Sequence, residues 1–208
     1  MRVSEDRYSR DLRRLELAHR LIEHEVRTQW ICAMTGLTDE RVRNLLHSYG
    51  VGSVQRHRGS PPTSCTVFFR MANHPEASAL AALARLWDLV PATPIRNARK
   101  ELPGLEWGEG LCEAFEFFST VGPRSVLSVN QFVLLVFALA EGRLVVAHCA
   151  HCQASILIDP LAAQRLRCRM CEAPSPRVRA ARRGQEAHAP EGGFAGDLGL
   201  TGDQQSLF

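Results

Sequence analysis

Two pairs of cysteines with the same internal spacing constrain the fold of this 208-residue chain more than any other feature. Cys149 and Cys152 form the first CxxC pair, Cys168 and Cys171 form the second, and 15 residues separate the two pairs. A two-residue gap lets both thiolates of a pair turn toward one point, and two pairs supply the four soft ligands of tetrahedral Zn²⁺. The sequence therefore predicts one Zn²⁺ per chain, bound by these four cysteines.

Four thiolates leave no open position for water or substrate, so we expect this zinc to be structural and not catalytic. The alternatives are thiol redox chemistry or packing, but a redox motif needs a thioredoxin-like βαβ context that the sequence does not show. His148 and His151 are potential replacement ligands, although four cysteines already suffice. We expect Cys32, Cys65 and Cys112 to be small core or surface residues.

The cellular location of the protein is predicted from the absence of a signal segment and of a membrane-spanning run. It has no apolar signal segment at its N-terminus, and its longest apolar run, residues 132–140, has nine residues. A membrane-spanning helix needs about 18 or more. We therefore expect a cytoplasmic protein with no membrane association, in which the seven cysteines do not form structural disulfides.

Apolar periodicity predicts a mainly α-helical bundle over residues 1–142. Tyr8, Leu12, Leu15, Ile22 and Val26 indicate an amphipathic helix over residues 6–26 that packs against another helix. Further helices are predicted over residues 75–89, over residues 104–120, and from a capping box at residues 128–131 to the residue before Gly142. The last of these is apolar on every face, so we expect it at the centre of the bundle or in a subunit interface.

The C-terminal part of the chain has a different character. Short β-prone runs at residues 144–146 and 155–158 flank the first cysteine pair and predict a hairpin. We therefore expect residues 143–183 to form a small zinc-ribbon-like module with a basic strip. Residues 184–208 are acidic and glycine-rich and contain no arginine or lysine, which predicts a disordered tail.

The segment 28–47 has the pattern of a helix-turn-helix: a short helix, a turn around Gly36 and a second helix from about residue 38. With Gly36 at the turn, Ile31 and Leu37 point inward, and Val42 and Leu45 form the buried face of the second helix. A plain helical hairpin with a solvated charged face is the alternative. The outward positions, whose side chains suit base edges and phosphates, are Arg41, Arg43, Asn44 and His47.

Arginine supplies nearly all of the positive charge, since Lys100 is the only lysine in a chain of net charge +3. Seven arginines lie between residues 165 and 183, where Glu172 is the only acid. A zinc-locked scaffold that carries such a strip is suited to phosphate binding, although a charged solubilising face is the alternative. The candidate DNA contacts in the basic loop 51–64 and in the strip are Arg56, Arg58, Arg165, Arg167, Arg177, Arg179, Arg182 and Arg183.

Four motifs are distinctive together: "RGSPP" (58–62) after a helical hairpin, "FALAEGRLVVAHC" (137–149), the double CxxC and "PSPRVRAARR" (174–183). On these motifs the chain resembles the flagellar transcriptional activator FlhC family over about residues 12–183. The resemblance implies a mainly helical protein with a zinc site at the same four cysteines. It also implies an FlhD partner, in a heterohexamer of four FlhD and two FlhC chains that binds promoter DNA and recruits RNA polymerase to flagellar genes.

The residues predict a DNA-binding protein, and the resemblance implies a transcriptional activator subunit that acts with an FlhD-like partner. An enzyme is not expected, because no nucleophile and base pair, glycine-rich phosphate loop or carboxylate pair stands out. The alternative is a zinc-stapled adaptor that binds only protein.

Overall fold

The computed structural model describes residues 5–48, 63–122, 126–162 and 166–172. The density of backbone contacts divides the chain into Met1–Cys171 and Glu172–Phe208, and the second unit lies outside the described residues apart from Glu172. The described part is mainly helical, as predicted, with one two-stranded sheet. Its elements are α1 (Glu5–Glu23), α2 (Thr28–Thr35), α3 (Asp39–Ser48), a 3-10 helix (Cys65–Phe69), α4 (His74–Leu86), α5 (Ala98–Glu101), α6 (Leu105–Val121), α7 (Val129–Ala140), β1 (Val145–His148), β2 (Ser155–Ile158) and α8 (Arg169–Glu172).

Helix α7 is the centre of the bundle. It begins at the predicted capping box, in which the Ser128 side chain accepts from the Gln131 N–H and the Gln131 side chain accepts from the Ser128 N–H. Every α7 residue except Gln131 is buried. Phe137 packs between Trp30 of α2 and Trp107 of α6, at ring-centroid distances of 5.1 and 5.7 Å. Of the two roles predicted for this apolar helix, the structure shows the central one.

Helix α1 contacts α2, α3 and α6, but its buried face is not the predicted one. Tyr8 and Leu12 are 73% and 44% exposed, so their assignment to the packed face is wrong. Leu12 lies five residues before Leu17, about 140° around a helix of 3.6 residues per turn, and therefore off the buried face. The helix also ends at Glu23, before Val26. The residues that α1 buries are Leu17, Ala18, Leu21 and Ile22.

Ion pairs fasten α1 to α6. The guanidinium of Arg20 donates from Nε and Nη2 to the two carboxylate oxygens of Glu116, at 3.1 and 2.8 Å. His24 Nε2 lies 3.1 Å from the same carboxylate, and Arg13 pairs with Glu109 further along. The hydrogen bond from Arg20 is the main reason that the pKa of Glu116 is lowered, because it stabilises the ionised carboxylate.

A buried asparagine fixes the connection between α1 and α2. Asn130 of α7 accepts a hydrogen bond from the Arg27 N–H at 3.1 Å and donates one to the Glu25 carbonyl at 3.0 Å. Glu25 adopts a left-handed backbone conformation, with φ of 53°, which reverses the chain after α1. The start of α2 is therefore held directly against the central helix.

The remaining predicted elements differ from the structure mainly at their ends. Helix α4 ends at Leu86 and not near Leu89, because Asp88 adopts a left-handed conformation with φ of 52°. The strands of the predicted hairpin pair antiparallel, from Val145 with Ile158 to His148 with Ser155. Residues 51–62 of the predicted loop and the predicted disordered tail lie outside the described residues. The predicted domain boundaries at residues 142 and 183 stay predictions.

Candidate metal centre and nucleic-acid interface

The first cysteine pair forms the tip of the β1–β2 hairpin. The Cys149 N–H donates to the Ala154 carbonyl at 2.9 Å, and the Gln153 N–H donates to the Cys149 carbonyl at 3.0 Å. Gln153 has φ of 60°, in the left-handed region that turns the chain back immediately after Cys152. This turn brings the thiols of Cys149 and Cys152 to the same side of the hairpin tip.

The second cysteine pair is attached to the first by backbone hydrogen bonds. The Ala150 N–H donates to the Leu166 carbonyl at 2.8 Å, and the Cys168 N–H donates to Cys149 Sγ at 3.3 Å. A turn in which the Cys171 N–H donates to the Cys168 carbonyl then presents both thiols of the second pair. All four sulfur atoms lie within 4.8 Å of one another.

The four sulfur atoms fit a tetrahedral metal ion. Zinc–sulfur bonds of about 2.3 Å give sulfur–sulfur edges of about 3.8 Å. The separation of Cys152 Sγ and Cys168 Sγ is 3.5 Å, and no pair exceeds 4.8 Å, so small side-chain rotations suffice for coordination. Cys149 is buried, Cys152 is exposed, and the other two are half-buried. The arrangement is therefore suited to a structural metal ion with four protein ligands.

The protonation chemistry of the cluster is consistent with a cation between the thiols. Backbone N–H groups of Cys152, Cys168 and His151 donate toward Cys149 and lower the pKa of its thiol to about 6. Hydrogen bonds with Cys168 and Cys152, together with the charge of Cys149, raise the pKa of Cys171 to about 12. A divalent metal ion among the sulfurs would favour the deprotonated form of all four thiols, because its positive charge offsets their mutual repulsion.

The other candidate ligands lie outside the four-sulfur cluster. His148 Nδ1 donates to the Gln153 carbonyl at 3.2 Å. His151 Nδ1 lies 3.6 Å from Cys171 Sγ, close enough to hydrogen-bond to that sulfur.

The other three cysteines were expected to be core or surface residues. Cys112 is buried in the core, and its burial raises the pKa of its thiol to about 12. Cys32 and Cys65 are half-buried.

The segment 28–47 forms two helices joined by a short turn. Gly36 has φ of 69°, and its N–H donates to the Cys32 carbonyl at 2.9 Å, which ends α2. Thr35 Oγ1 then accepts from the Leu37 N–H at 3.2 Å, so that the turn is held from within. Ile31 and Val42 are buried and Leu37 and Leu45 are half-buried against the core, which agrees with the predicted inward positions.

The α3 residues that are predicted to contact DNA all point away from the core. Arg41, Arg43, Asn44 and His47 are exposed, and Arg43 forms an ion pair with Asp39 one turn earlier. Arg167 is exposed beside Cys168, at the four-sulfur cluster. The remaining candidate DNA contacts lie outside the described residues: Arg56, Arg58, Arg165, Arg177, Arg179, Arg182 and Arg183.

Two residues that the sequence did not indicate connect the hairpin to the helices. Ser78 Oγ accepts from the Leu157 N–H at 3.0 Å, and His74 Nε2 lies 2.9 Å from the Leu157 carbonyl oxygen. Both side chains come from α4, and Leu157 lies in β2. No motif marks these residues, because their role depends on where β2 lies in the fold.

The fold and the site define a mainly helical protein with a four-cysteine centre suited to a structural metal ion. Among the helices in the described ranges, none is both long and apolar enough to cross a membrane. No protein-family model matches the sequence, and no curated protein matches it significantly. Function therefore has to be inferred from the residues of this chain.

Proposed function

We propose that this protein is a DNA-binding transcriptional activator subunit with one structural Zn²⁺. The observation that carries the proposal is the arrangement of α3, which buries Val42 in the core and turns Arg43, Asn44 and His47 toward solvent. A helix that follows a tight turn and presents arginine and asparagine outward can enter a DNA major groove. Arginine suits guanine edges there, and asparagine suits adenine edges.

The contact of α1 with both α2 and α3 supports this proposal. A helical hairpin alone exposes much of its apolar surface, whereas a third helix packed across it holds the reading helix in place. Asn130 adds a fixed point at the start of α2. The pairing of Arg43 with Asp39 is compatible with base reading, because an exposed ion pair of this kind contributes at most about 1 kcal/mol and is readily exchanged.

The metal is proposed to be zinc because four thiolates form a soft, closed ligand set with no position for a reacting group. Two arginines, Arg167 and Arg169, flank the ligand Cys168. Their charges oppose the net negative charge of a metal bound by four thiolates and provide phosphate donors beside the cluster. We therefore assign the metal module a role in backbone contact and α3 a role in base contact.

The resemblance to the FlhC family extends the proposal to partners. An FlhD-like subunit, in a heterohexamer, and RNA polymerase are the proposed protein partners, flagellar genes are the proposed targets, and the cytoplasm is the proposed location. No catalytic role is proposed for any residue.

DNA binding is tested with the full chain and with its partner present. Arg43→Ala or Asn44→Ala is expected to relax base preference at one operator position, at a cost of about 1–3 kcal/mol. Replacement of Arg177, Arg179, Arg182 and Arg183 by Ala is expected to weaken binding to all sequences and to reduce the salt slope by about 0.9 for each lost phosphate contact. Competition binding at several salt concentrations separates the two effects. Unchanged selectivity in both α3 variants would refute base reading by α3.

One observation favours the alternative of a protein adaptor. Trp87 and Phe117 lie against each other with tilted rings at a centroid distance of 5.3 Å, and Leu86 and Val121, the last residues of α4 and α6, are 75% and 70% exposed. Such a patch is typical of a protein-binding surface. If Phe117→Asp abolishes partner binding while the protein shows no DNA affinity at low salt, the adaptor is the correct function.

A further inference from the structure

The hairpin that carries the metal cluster is clamped to the helical body at its middle. In an antiparallel pair every second residue of an edge strand directs its N–H and C=O away from the ladder. Leu157 is such a residue of β2, and α4 satisfies both of its groups. Ser78 accepts from its N–H, and His74 donates from Nε2 to its carbonyl, since a carbonyl oxygen can only accept.

The clamp is itself ordered by a third hydrogen bond. Ser78 Oγ donates to the His74 carbonyl at 2.7 Å while it accepts from Leu157, so its proton and its lone pair are both used. Leu157 is fully buried, and Ser78 is buried as well. The bond between Ser78 and Leu157 is buried and is therefore worth more than an exposed one, and the backbone of Leu157 is held from α4 by both Ser78 and His74.

The base of the hairpin is also attached to the bundle. The Leu144 N–H donates to the Ala138 carbonyl of α7 at 3.1 Å, one residue before β1. A two-stranded hairpin is marginal alone, and one hydrogen bond at its base does not fix its orientation. The second attachment at Leu157 removes that freedom. The orientation of the metal cluster at the tip is thus set by α4 and α7 together.

We propose that His74 and Ser78 are positioning residues that hold the metal module in one orientation on the helical body, so that it and α3 contact DNA at one fixed separation. The role in DNA spacing rests on the proposed function; the clamp itself does not. Two linked contact surfaces gain affinity through their effective concentration only if their separation matches the spacing of the DNA elements. A rigid hairpin therefore restricts tight binding to DNA whose two contact sites are separated by one spacing.

The test compares the native protein with a Ser78→Ala, His74→Phe double variant in selection from a library of random-sequence duplexes. The native protein is expected to enrich one sequence element, read by α3, and to protect the DNA backbone at one fixed spacing from that element in hydroxyl-radical footprinting. The double variant is expected to enrich the same element, to protect the backbone at several spacings from it and to bind the selected duplexes about tenfold more weakly. His74→Gln is the conservative control, because its side-chain amide can still donate to the Leu157 carbonyl, and it is expected to retain the single spacing.

A second measurement needs no DNA. Residual dipolar couplings of the zinc-loaded native protein are expected to fit hairpin and helix amides to one alignment tensor, whereas those of the double variant require two. Metal content and far-UV circular dichroism should be unchanged, which shows that the variant remains folded. A single spacing and a single tensor in the double variant would overturn the proposal, as would two tensors in the native protein. If the native protein enriches no DNA, the proposed function and the spacing role both fail, and the tensors still decide whether the clamp exists.

Discussion

Gly108 of α6 lies where α1 and α2 both approach α6 closely, and its replacement by alanine tests that packing. A Cβ at this position would lie 2.8 Å from Leu17 Cδ2 of α1 and 3.0 Å from Met34 Cβ of α2. Leu17 and Met34 are both buried. The Cβ of Met34 is also fixed to its backbone, so it cannot rotate away. The added methyl group therefore forces α2 away from α6 and displaces the buried end of the Leu17 side chain of α1.

Two effects of opposite sign decide the size of the change. Glycine in a helix interior costs about 1 kcal/mol relative to alanine, so the substitution gains that amount from helix propensity. Overpacking a well-packed core typically costs about 1–3 kcal/mol, and contacts of this closeness at two buried neighbours favour the upper half of that range. We expect Gly108→Ala to lower the free energy of unfolding by about 1–2 kcal/mol.

Gly110→Ala is the matched control in the same helix. Its Cβ would meet only Leu89 Cδ2, the end of a side chain, at 3.3 Å. The higher helix propensity of alanine should then outweigh the contact, and we expect the free energy of unfolding to stay unchanged or to rise by up to about 1 kcal/mol. The assay is urea unfolding of both variants at saturating zinc, followed by far-UV circular dichroism.

With a denaturant dependence of about 2 kcal/mol per molar urea, Gly108→Ala should lower the unfolding midpoint by about 0.5–1 M, while Gly110→Ala leaves it equal or raises it. A midpoint for Gly108→Ala at or above that of Gly110→Ala would refute the close approach of α1, α2 and α6. That approach positions the proposed reading helix, because α1 and α2 are the helices that pack beside α3.

Three further predictions concern the metal, pH and the α1–α2 connection. Metal analysis should find about one Zn²⁺ per chain, and chelation or Cys168→Ser should make residues 143–172 sensitive to protease; a zinc-free protein of unchanged protease resistance would contradict this. Because the pKa of Glu116 is lowered in the folded protein, its ionised carboxylate stabilises the fold above the unfolded-state pKa of about 4.5, and this stability is lost as pH falls through the folded-state pKa. Glu116→Gln should therefore weaken the pH dependence of the free energy of unfolding below pH 4.5 more than Glu113→Gln does. Asn130→Ala leaves two backbone groups without their partner and should cost about 2–4 kcal/mol in urea unfolding; a loss below about 1 kcal/mol would show that water replaces the amide.

The features that could be predicted from the sequence are those set by short segments. The spacing of Cys149 and Cys152, and of Cys168 and Cys171, indicated a four-sulfur cluster, and the structure brings all four together. The capping box at residues 128–131 and the turn at Gly36 were also predicted correctly, because caps and turns depend on the few residues that form them. An apolar run without a polar face indicated the buried centre of the bundle in the same way.

Periodicity was least informative where a helix is only partly covered. The apolar spacing of Tyr8 and Leu12 indicated a packed face, yet both are exposed, whereas Leu17 and Leu21 are buried. Which stripe of α1 faces the core depends on the positions of α2 and α6 beside it. The sequence of α1 alone does not determine those positions.

The polar contacts that fix the architecture were decided only by the tertiary structure. Arg20 meets Glu116 across 96 residues of sequence, and His74 meets Leu157 across 83. A charged or hydroxyl side chain can be satisfied by water in the unfolded chain, so its identity does not specify a partner. The partner is specified when packing of the apolar faces brings two segments within hydrogen-bond distance and excludes water between them. The cysteine spacing therefore determined the four-sulfur cluster, while the packing of α4 and α7 determined where on the protein that cluster is held.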